Sequence, residues 1–392
     1  MDVASFCRKS RVLVVAGKGG VGKTTITAAL ARMAANAGLS VLVVELEGKP
    51  GVSAAFGQVG GLRYEPSVLS DPDAGSRPGA TVGRWDPGDP GRADTRRSAR
   101  PTTRPPLRVA PGTVHARRIT PDEALLEYLA DHGMKRISRR LVSSGALDVV
   151  ATAIPGIRDI LVLGRVKSLE RERAADLILV DAPATGHAMT FLSSAQGLLD
   201  AARAGPVRVQ ATDVVELLSD PERCQVALVT IPEEMPVNEV VEAAYALEDR
   251  IGISLGPVIV NACLPPAPLL DRDPAEAAAE AGVALAPDQR AALGRAAAFR
   301  RRRYELQEEQ RARLAAELPL PQLVAPFLFS AAIGPAQLDV LAVELADAVA
   351  GLHDGAWSAT DRSPGEPPPN GAASADGAED DGRDTPSRGA RR

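Results

Sequence analysis

The chain contains the sequence Gly17-Lys18-Gly19-Gly20-Val21-Gly22-Lys23-Thr24, which directly follows an apolar run over residues 12–16. This stretch matches G-x-x-x-x-G-K-[ST], a glycine-rich loop whose backbone N–H groups surround a phosphate. The motif works only between a strand and a helix, and the sequence supplies both: the β-branched run 12–16 and the alanine-rich stretch 24–37. An ordinary glycine-rich turn can match the pattern by chance, but the two flanks favour a phosphate-binding loop.

The polar residues of the loop have different expected tasks. Lys23 would hold the β- and γ-phosphates of a nucleotide, and the Thr24 hydroxyl would bind Mg²⁺. Lys18 is a second lysine that is not needed to surround a phosphate within one chain, and its ordinary alternative is a solvated loop side chain. The predicted nucleotide contacts in this segment are Gly17, Lys18, Gly19, Gly20, Val21, Gly22, Lys23, Thr24 and Thr25.

Short apolar runs alternate with helical stretches along the chain, at residues 12–16, 41–45, 177–181, 226–231, 258–261 and 323–326. This alternation predicts an α/β fold of the P-loop NTPase type, with a mostly parallel sheet and helices on both faces. Ligands of such sheets bind at the carboxyl ends of the strands. Glu47, Asp181 and Asn261 all fall at or just after such an end, as the loop does.

The run 177–181 ends in Asp181, where a P-loop enzyme places the carboxylate that holds a Mg²⁺-bound water. We therefore predict Thr24 and Asp181 as the metal-binding residues. The expected cofactors are ATP and Mg²⁺.

Several segments in sequence order resemble one family. The spelling K-G-G-V-G-K-T-T resembles the deviant Walker A loop of the MinD, ParA, nitrogenase iron-protein and ArsA group of dimeric ATPases, and residues 182–187 are similar to switch II of the ArsA family. Residues 41–57 track its switch I, Pro232-Glu233 with Glu239 resembles a strand-end P-E and E-T pattern, and 258–261 resembles its I-V-N. The segments cover 11–60 and about 119–350, so the chain resembles an ArsA-like, anion-transporting or tail-anchored-protein-targeting ATPase.

The resemblance implies a dimer, either of this chain or with a paralogous ATPase, that closes around ATP. Lys18 would reach across the interface to the partner's nucleotide, Glu233 would contact nucleotide there, and the Asn261 amide would read adenine. Glu47 falls on the position of the aspartate that orients the attacking water. Because glutamate is one methylene longer, and ~1 Å of misplacement costs about a hundredfold in rate, we expect slow hydrolysis. The implied catalytic residues are Lys18, Lys23, Glu47 and Asp181.

The expected function is Mg²⁺-dependent ATP binding and hydrolysis by a nucleotide-sandwich dimer that acts as a switch for transport or protein targeting. Its further partner would be an unidentified membrane or client protein. A MinD- or ParA-like positioning ATPase and a biosynthetic P-loop enzyme stay open as alternatives. The substrate does not follow from the resemblance, because no cysteine cluster for a metalloid is visible and residues 119–172 contain a single methionine, Met134.

Composition narrows the class of protein. The chain has 392 residues, 45% of them hydrophobic, which is enough for a large buried core. A net charge of -5 argues against specific nucleic-acid binding. The sequence lacks a signal-peptide pattern and a run of 18 apolar residues, so we expect a cytoplasmic protein that reaches a membrane only through a partner.

Composition also predicts the domain organisation. Residues 1–352 would form the ATPase domain. Within it, 71–116 is rich in Pro, Gly and Arg and is predicted to be a disordered insertion, with a basic arm for anionic partners as the alternative. Thr120 and Glu123 form a predicted capping box that opens a helical subdomain over 119–172. Residues 353–392 read as a disordered acidic tail.

Overall fold

The computed structural model describes residues 1–46, 51–71, 107–131, 156–201 and 203–352. In this part of the chain, eight strands form one sheet in the order β3-β4-β2-β5-β1-β6-β7-β8. Every neighbouring pair is parallel except β3 with β4. The strands are β1 (Val12–Gly17), β2 (Val41–Glu45), β3 (Ser67–Ser70), β4 (Val114–Arg118), β5 (Leu177–Ala184), β6 (Cys224–Thr230), β7 (Leu255–Cys263) and β8 (Gln322–Pro326). The predicted α/β fold class is confirmed.

The α-helices of the described residues lie between these strands, except for the first, which precedes β1, and the last, which follows β8. They are α1 (Val3–Cys7), α2 (Lys23–Asn36), α3 (Gly51–Ala55), α4 (Pro121–Asp131), α5 (Ile157–Arg171), α6 (Thr185–Ala201), α7 (Pro206–Ser219), α8 (Glu234–Ala246), α9 (Pro274–Glu280), α10 (Pro287–Glu317) and α11 (Pro335–Ala350). None of them is both long enough and apolar enough to cross a membrane.

Alternating strand residues supply two apolar cores, one on each face of the sheet. In β1, Val12 and Val14 belong to the core that α5, α6, α7 and α8 cover, whereas Leu13 and Val15 belong to the core that α2 and α11 cover. Every residue of β1, β2 and β6 is buried, as expected for central parallel strands with helices on both faces. The predicted placement of helices on both faces is thereby confirmed.

The structure corrects the end of the predicted insertion 71–116. Residues 107–116 are described, Val109 is buried, and β4 begins at Val114 and pairs with β2 from Val41 onward. This strand has no apolar pattern in the sequence, because β4 carries two arginines and a histidine among its five residues. The Arg117 guanidinium lies 4.3 Å from the centre of the Tyr64 ring, so an aromatic side chain covers this charge. Residues 72–106 lie outside the described residues.

The predicted helix start after residue 119 is confirmed. The Thr120 hydroxyl accepts a hydrogen bond from the Glu123 backbone N–H at 3.3 Å and donates one to the Glu123 carboxylate at 2.7 Å, and α4 begins at Pro121. α4 and α5 lie within residues 119–172, and a separate helical subdomain stays a prediction; residues 132–155 and the predicted tail 353–392 lie outside the described residues.

A buried carboxylate ties the amino ends of two central strands to a helix. Glu170 of α5, with 1% of its side chain exposed, accepts hydrogen bonds from Arg11 at 2.5 Å and from Arg223 at 2.7 Å. Arg11 directly precedes β1 and Arg223 directly precedes β6. Charge-assisted pairs of this kind stabilise a fold when both partners are satisfied, because a buried charge without its partner is costly.

We expect Glu170→Gln to lower the free energy of unfolding by about 2 kcal/mol, because two guanidinium groups lose a shared charged partner. Urea unfolding measures the change. The matched control is Glu172→Gln, whose side chain is 36% exposed and pairs with Arg165 at 3.4 Å. The control should change stability by no more than about 0.5 kcal/mol. Equal losses in the two variants would contradict a special role for Glu170.

Candidate functional site

The phosphate-binding loop joins β1 to α2, as predicted. Gly22 is the residue before α2, and no side chain caps this end of the helix. The first N–H groups of a helix have no intrahelical acceptor, so those of α2 are available to an anion. Gly17 is the last residue of β1 and Lys23 is the first residue of α2, so a strand and a helix hold the two ends of the loop.

Two glycines of the loop are required by close contacts. A Cβ atom at Gly17 would lie 2.2 Å from the carbonyl oxygen of Val229, on the neighbouring strand β6. A Cβ atom at Gly22, whose φ is +90°, would lie 2.3 Å from the Asn261 side-chain amide. A side chain at either position would displace the backbone of the loop, so the observed conformation of the loop requires glycine at both positions.

The side chain of Lys23, at the end of the loop, reaches back to the start of the loop. Its Nζ donates a 3.0 Å hydrogen bond to the carbonyl oxygen of Lys18. The ammonium group is thus held beside the loop, and its contact with the phosphates of a nucleotide stays a prediction.

Asp181 lies beside the loop because β5 pairs with β1. In the parallel register Asp181 is opposite Val15, and its carboxylate accepts hydrogen bonds from the hydroxyls of Thr24 at 2.7 Å and Thr27 at 3.3 Å. Burial raises the pKa of Asp181, although both hydroxyls and the charge of Lys23 act in the opposite direction. The sequence named Thr24 and Asp181 as a pair, and the structure brings them together; Thr27 was not foreseen.

These oxygen atoms fit Mg²⁺, which prefers carboxylate and hydroxyl oxygen and keeps several waters of its own. Thr24 Oγ1 and Asp181 Oδ2 are 2.7 Å apart at the base of the loop, next to the place where phosphates would lie. A metal ion there would be held mainly by Thr24 and Asp181, as predicted from the sequence.

Glu45 is a second buried carboxylate at this site, and the sequence analysis missed it. It ends β2, lies opposite Asp181 in the register of β2 with β5, and is only 3% exposed. Burial first, and then the charge of Asp181, raises the pKa of Glu45 to about 7, although Arg118 and a backbone hydrogen bond from Val52 lower it. The only sign of Glu45 in the sequence is a charged residue at the end of the otherwise apolar run 41–45, and this pattern is also typical of an ordinary strand end.

Lys18 and Glu233 both form ion pairs within this chain. Lys18 Nζ pairs with Glu239 of α8, and 35% of each side chain remains exposed. Glu233 pairs with Arg303 of α10 at 3.1 Å and is about half exposed. Both predicted contacts across a dimer therefore have partners in the same chain, and their role toward a second subunit stays a prediction.

Asn261 of β7 supports the loop from behind. Its side-chain N–H donates to the Val21 carbonyl oxygen at 2.8 Å, and its amide is the group that excludes a Cβ atom at Gly22. The structure brings Asn261 to the loop, and the reading of adenine stays a prediction.

Glu47 lies outside the described residues, so its predicted role is not addressed by the geometry. The chain that follows it does approach the site. A Cβ atom at Gly51, the first residue of α3, would lie 2.5 Å from Thr24 Cγ2. The start of α3 is therefore packed against a residue that would bind the metal.

The three cysteines of the chain are all buried, and none forms a disulfide. Burial raises the pKa of Cys7 and Cys224 to about 12 and that of Cys263 to about 11. Soft metal ions and metalloids bind the thiolate form, which is disfavoured at such sites. The described residues also contain no group of three or more His, Cys, Asp or Glu side chains that could hold a metal ion.

A glycine-rich loop at the carboxyl end of a central strand, with a buried carboxylate on the adjacent strand, defines a P-loop nucleotide-binding protein. Residues 12–220 match the model of the CobQ/CobB/MinD/ParA nucleotide binding domain, and residues 205–273 match that of the anion-transporting ATPases. The chain belongs to this MinD/ParA and ArsA type of ATPase family.

Individual relatives agree with this assignment. The chain is 33% identical over 282 residues to the ATPase BagA of Mycobacterium tuberculosis and, equally, to a putative ATPase of Mycobacterium bovis, with 68% of this chain and 69% of each relative covered. It is 26% identical over 276 residues to a putative arsenical pump-driving ATPase of Halobacterium salinarum, covering 66% of this chain and 36% of that relative.

We expect Glu45→Gln to stabilise the protein at about pH 8 in the absence of divalent metal. The pKa of Glu45 is about 7 in the fold against an ordinary value of 4.5, so the folded chain binds the extra proton between these values. The contribution of Glu45 to the free energy of unfolding therefore falls as the pH rises from about 4.5 through about 7. The loss is up to about 3 kcal/mol at 1.36 kcal/mol per pKa unit. Glutamine carries no charge and avoids this loss.

Urea unfolding in EDTA at about pH 5 and about pH 8 measures the effect, with Glu172→Gln as the exposed control. The free energy of unfolding of Glu45→Gln should exceed that of the unmodified protein by more at about pH 8 than at about pH 5. A pH-independent difference would show that the charge of Glu45 is not destabilising in the fold.

Proposed function

We propose that this protein is a Mg²⁺-dependent ATPase that hydrolyses ATP in a dimer and serves as a nucleotide-controlled switch for transport or protein targeting. The observation that carries the proposal is the contact of Thr24 with Asp181 at 2.7 Å, directly beside the loop that holds Lys23. It joins the phosphate-binding and metal-binding halves of one site.

The residues around the loop would divide the work among them. The N–H groups of the loop and the first turn of α2 would bind the phosphates, and the Lys23 ammonium would leave the Lys18 carbonyl for a phosphate oxygen. Thr24 and Asp181 would hold Mg²⁺, which when bound neutralises charge on the β- and γ-phosphates. Because the Asp181 carboxylate is buried beside Lys23 and two hydroxyls, its orientation is fixed before the nucleotide arrives.

Lys18 is the residue through which we expect the dimer to form. Its side chain is held at the surface by one partially exposed ion pair with Glu239. Such pairs contribute only about 0 to 1 kcal/mol, so a triphosphate on a second subunit could replace the carboxylate at small cost. The second subunit would be another copy of this chain or a paralogous ATPase, with Glu233 near the same interface.

Glu47 is proposed to orient the attacking water, since it follows β2 by two residues in the sequence and β2 ends opposite Asp181. The longer side chain of glutamate is the reason to expect slow turnover. Hydrolysis would then act as a timer for the dimer rather than as a source of rapid flux.

The cargo of the switch is proposed only by class. The relative in Halobacterium salinarum is described as a putative arsenical pump-driving ATPase, and the one in Mycobacterium tuberculosis as an ATPase. The buried cysteines of this chain argue against direct binding of a metalloid. We propose a cytoplasmic protein that acts on a membrane or client protein and has no specific nucleic-acid partner.

Lys23→Ala is expected to lower the rate of ATP hydrolysis at least about a hundredfold, because charge stabilisation at the transferred phosphate is the main catalytic term. Release of inorganic phosphate from purified protein measures it. Lys9→Ala, a lysine that precedes β1, is the control and should keep normal turnover. Unchanged hydrolysis in Lys23→Ala would assign the activity to another site or a contaminant.

Lys18→Ala is expected to abolish dimerisation by ATP and Mg²⁺ and to leave nucleotide binding by the monomer within about threefold. The lysine side chain interacts with Glu239 and not with the loop, and the Lys18 carbonyl that Lys23 contacts is backbone. Sedimentation velocity with and without ATP measures the mass. If Lys18→Ala dimerises as the unmodified protein does, Lys18 does not act across an interface.

A further inference from the structure

Glu45 and Asp181 lie side by side on the face of the sheet that α2 covers. They are opposite each other in the parallel register of β2 with β5. Val41 and Val43 of β2 and Leu177 and Leu179 of β5 belong to the same apolar core as α2, and residues two apart share a face of a strand. Since neighbouring strands are about 4.8 Å apart, the two carboxylates are neighbours.

One oxygen atom of Glu45 lacks a partner. Oε2 is fully buried and accepts no hydrogen bond from the residues that the structure describes, whereas both oxygens of Asp181 are bonded to threonine hydroxyls. A buried polar atom without a partner costs about 1–3 kcal/mol and is rare in folded proteins. The cost is larger here because a second carboxylate lies beside it. The fold therefore contains an acceptor whose partner is not supplied by the described residues.

Glu45 also contacts the segment that follows the loop carrying Glu47. The Val52 backbone N–H lies near enough to the Glu45 carboxylate to lower its pKa, and Val52 is the second residue of α3. The first residue of α3, Gly51, packs against Thr24 so closely that a Cβ atom would lie 2.5 Å from Thr24 Cγ2. The start of α3 is thus held between Glu45 and the metal-binding threonine.

We propose that Glu45 is a positioning residue of the Mg²⁺ site, whose unpartnered oxygen accepts a hydrogen bond from the hydration shell of the ion and so links metal binding to the position of α3. The inference rests on the proposed function, because it needs Mg²⁺ at Thr24 and Asp181. Asp181 lies on β5, between β2, which carries Glu45, and β1, which leads into the loop. Glu45 is therefore one strand further from the phosphates than Asp181 is. Mg²⁺ keeps several waters, which is what an outer carboxylate would bind.

A purely structural role makes a different prediction. If Glu45 only anchored α3 through Val52 and balanced the charge of Arg118, its replacement by glutamine would change stability without changing metal affinity. The two roles are therefore separated by a metal titration. Partners that orient metal ligands or bound water typically change metal affinity 10- to 100-fold when they are removed.

The experiment titrates Mn²⁺, a spectroscopic substitute for Mg²⁺, into full-length protein saturated with ADP and follows free Mn²⁺ by electron paramagnetic resonance. Glu45→Gln is expected to weaken Mn²⁺ binding at least about tenfold and to leave ADP binding in EDTA within about twofold. Glu45→Asp keeps the charge but shortens its reach, and should fall between. Glu170 is a buried carboxylate at the amino ends of the strands, so Glu170→Gln should leave Mn²⁺ affinity unchanged.

Hydrogen exchange of the α3 amides supplies the second measurement. Adding Mn²⁺ to the ADP complex should increase protection over residues 51–55 in the unmodified protein and not in Glu45→Gln. Equal Mn²⁺ affinity and equal protection in the two proteins would overturn the role of Glu45 and leave the proposed function standing. Failure of the unmodified protein to bind any nucleotide would overturn the proposed function, and this inference with it.

Discussion

The parallel pairing of β1 with β5 is the constraint on which the rest of the site depends. It places Asp181 opposite Val15, two residues before the glycine at which the phosphate-binding loop begins. From there the carboxylate reaches the hydroxyls of Thr24 and Thr27 on the helix that follows the loop. Without this register, the loop would still attract phosphate, but no carboxylate would be present to hold a metal ion against it.

The two ends of the same strands use charge for different purposes. At the amino ends, the single buried carboxylate of Glu170 is paired with two arginines of opposite charge. At the carboxyl ends, Asp181 and Glu45 are adjacent, and burial raises the pKa of both. Concentrating like charges in a buried place is costly, and proteins retain such arrangements mainly where they serve a site. The contrast between the two ends is a physical reason, independent of any motif, to locate function at the loop.

The features that the sequence predicted are those encoded locally. The loop, the six apolar strands and the capping box at Thr120 and Glu123 each depend on a few consecutive residues, and the structure has them all. β3 was missed because it has only four residues, and β4 because three of its five residues are arginine or histidine; β4 is stabilised by pairing with β2 and by the contact of Arg117 with Tyr64. Glu45 was missed because its importance comes from the register with Asp181, which no local pattern reveals. The partner of Lys18, 221 residues away, could not be foreseen for the same reason.

The central claim is that Lys23, Thr24 and Asp181 together form one Mg²⁺–nucleotide site. Isothermal titration of ATP into the purified protein tests it most directly, with Mg²⁺ in one experiment and EDTA in the other, and with Asp181→Asn measured under both conditions. The account predicts that Mg²⁺ tightens ATP binding to the unmodified protein and that this gain is largely lost in Asp181→Asn. Absence of ATP binding, or an equal gain from Mg²⁺ in both proteins, would contradict it.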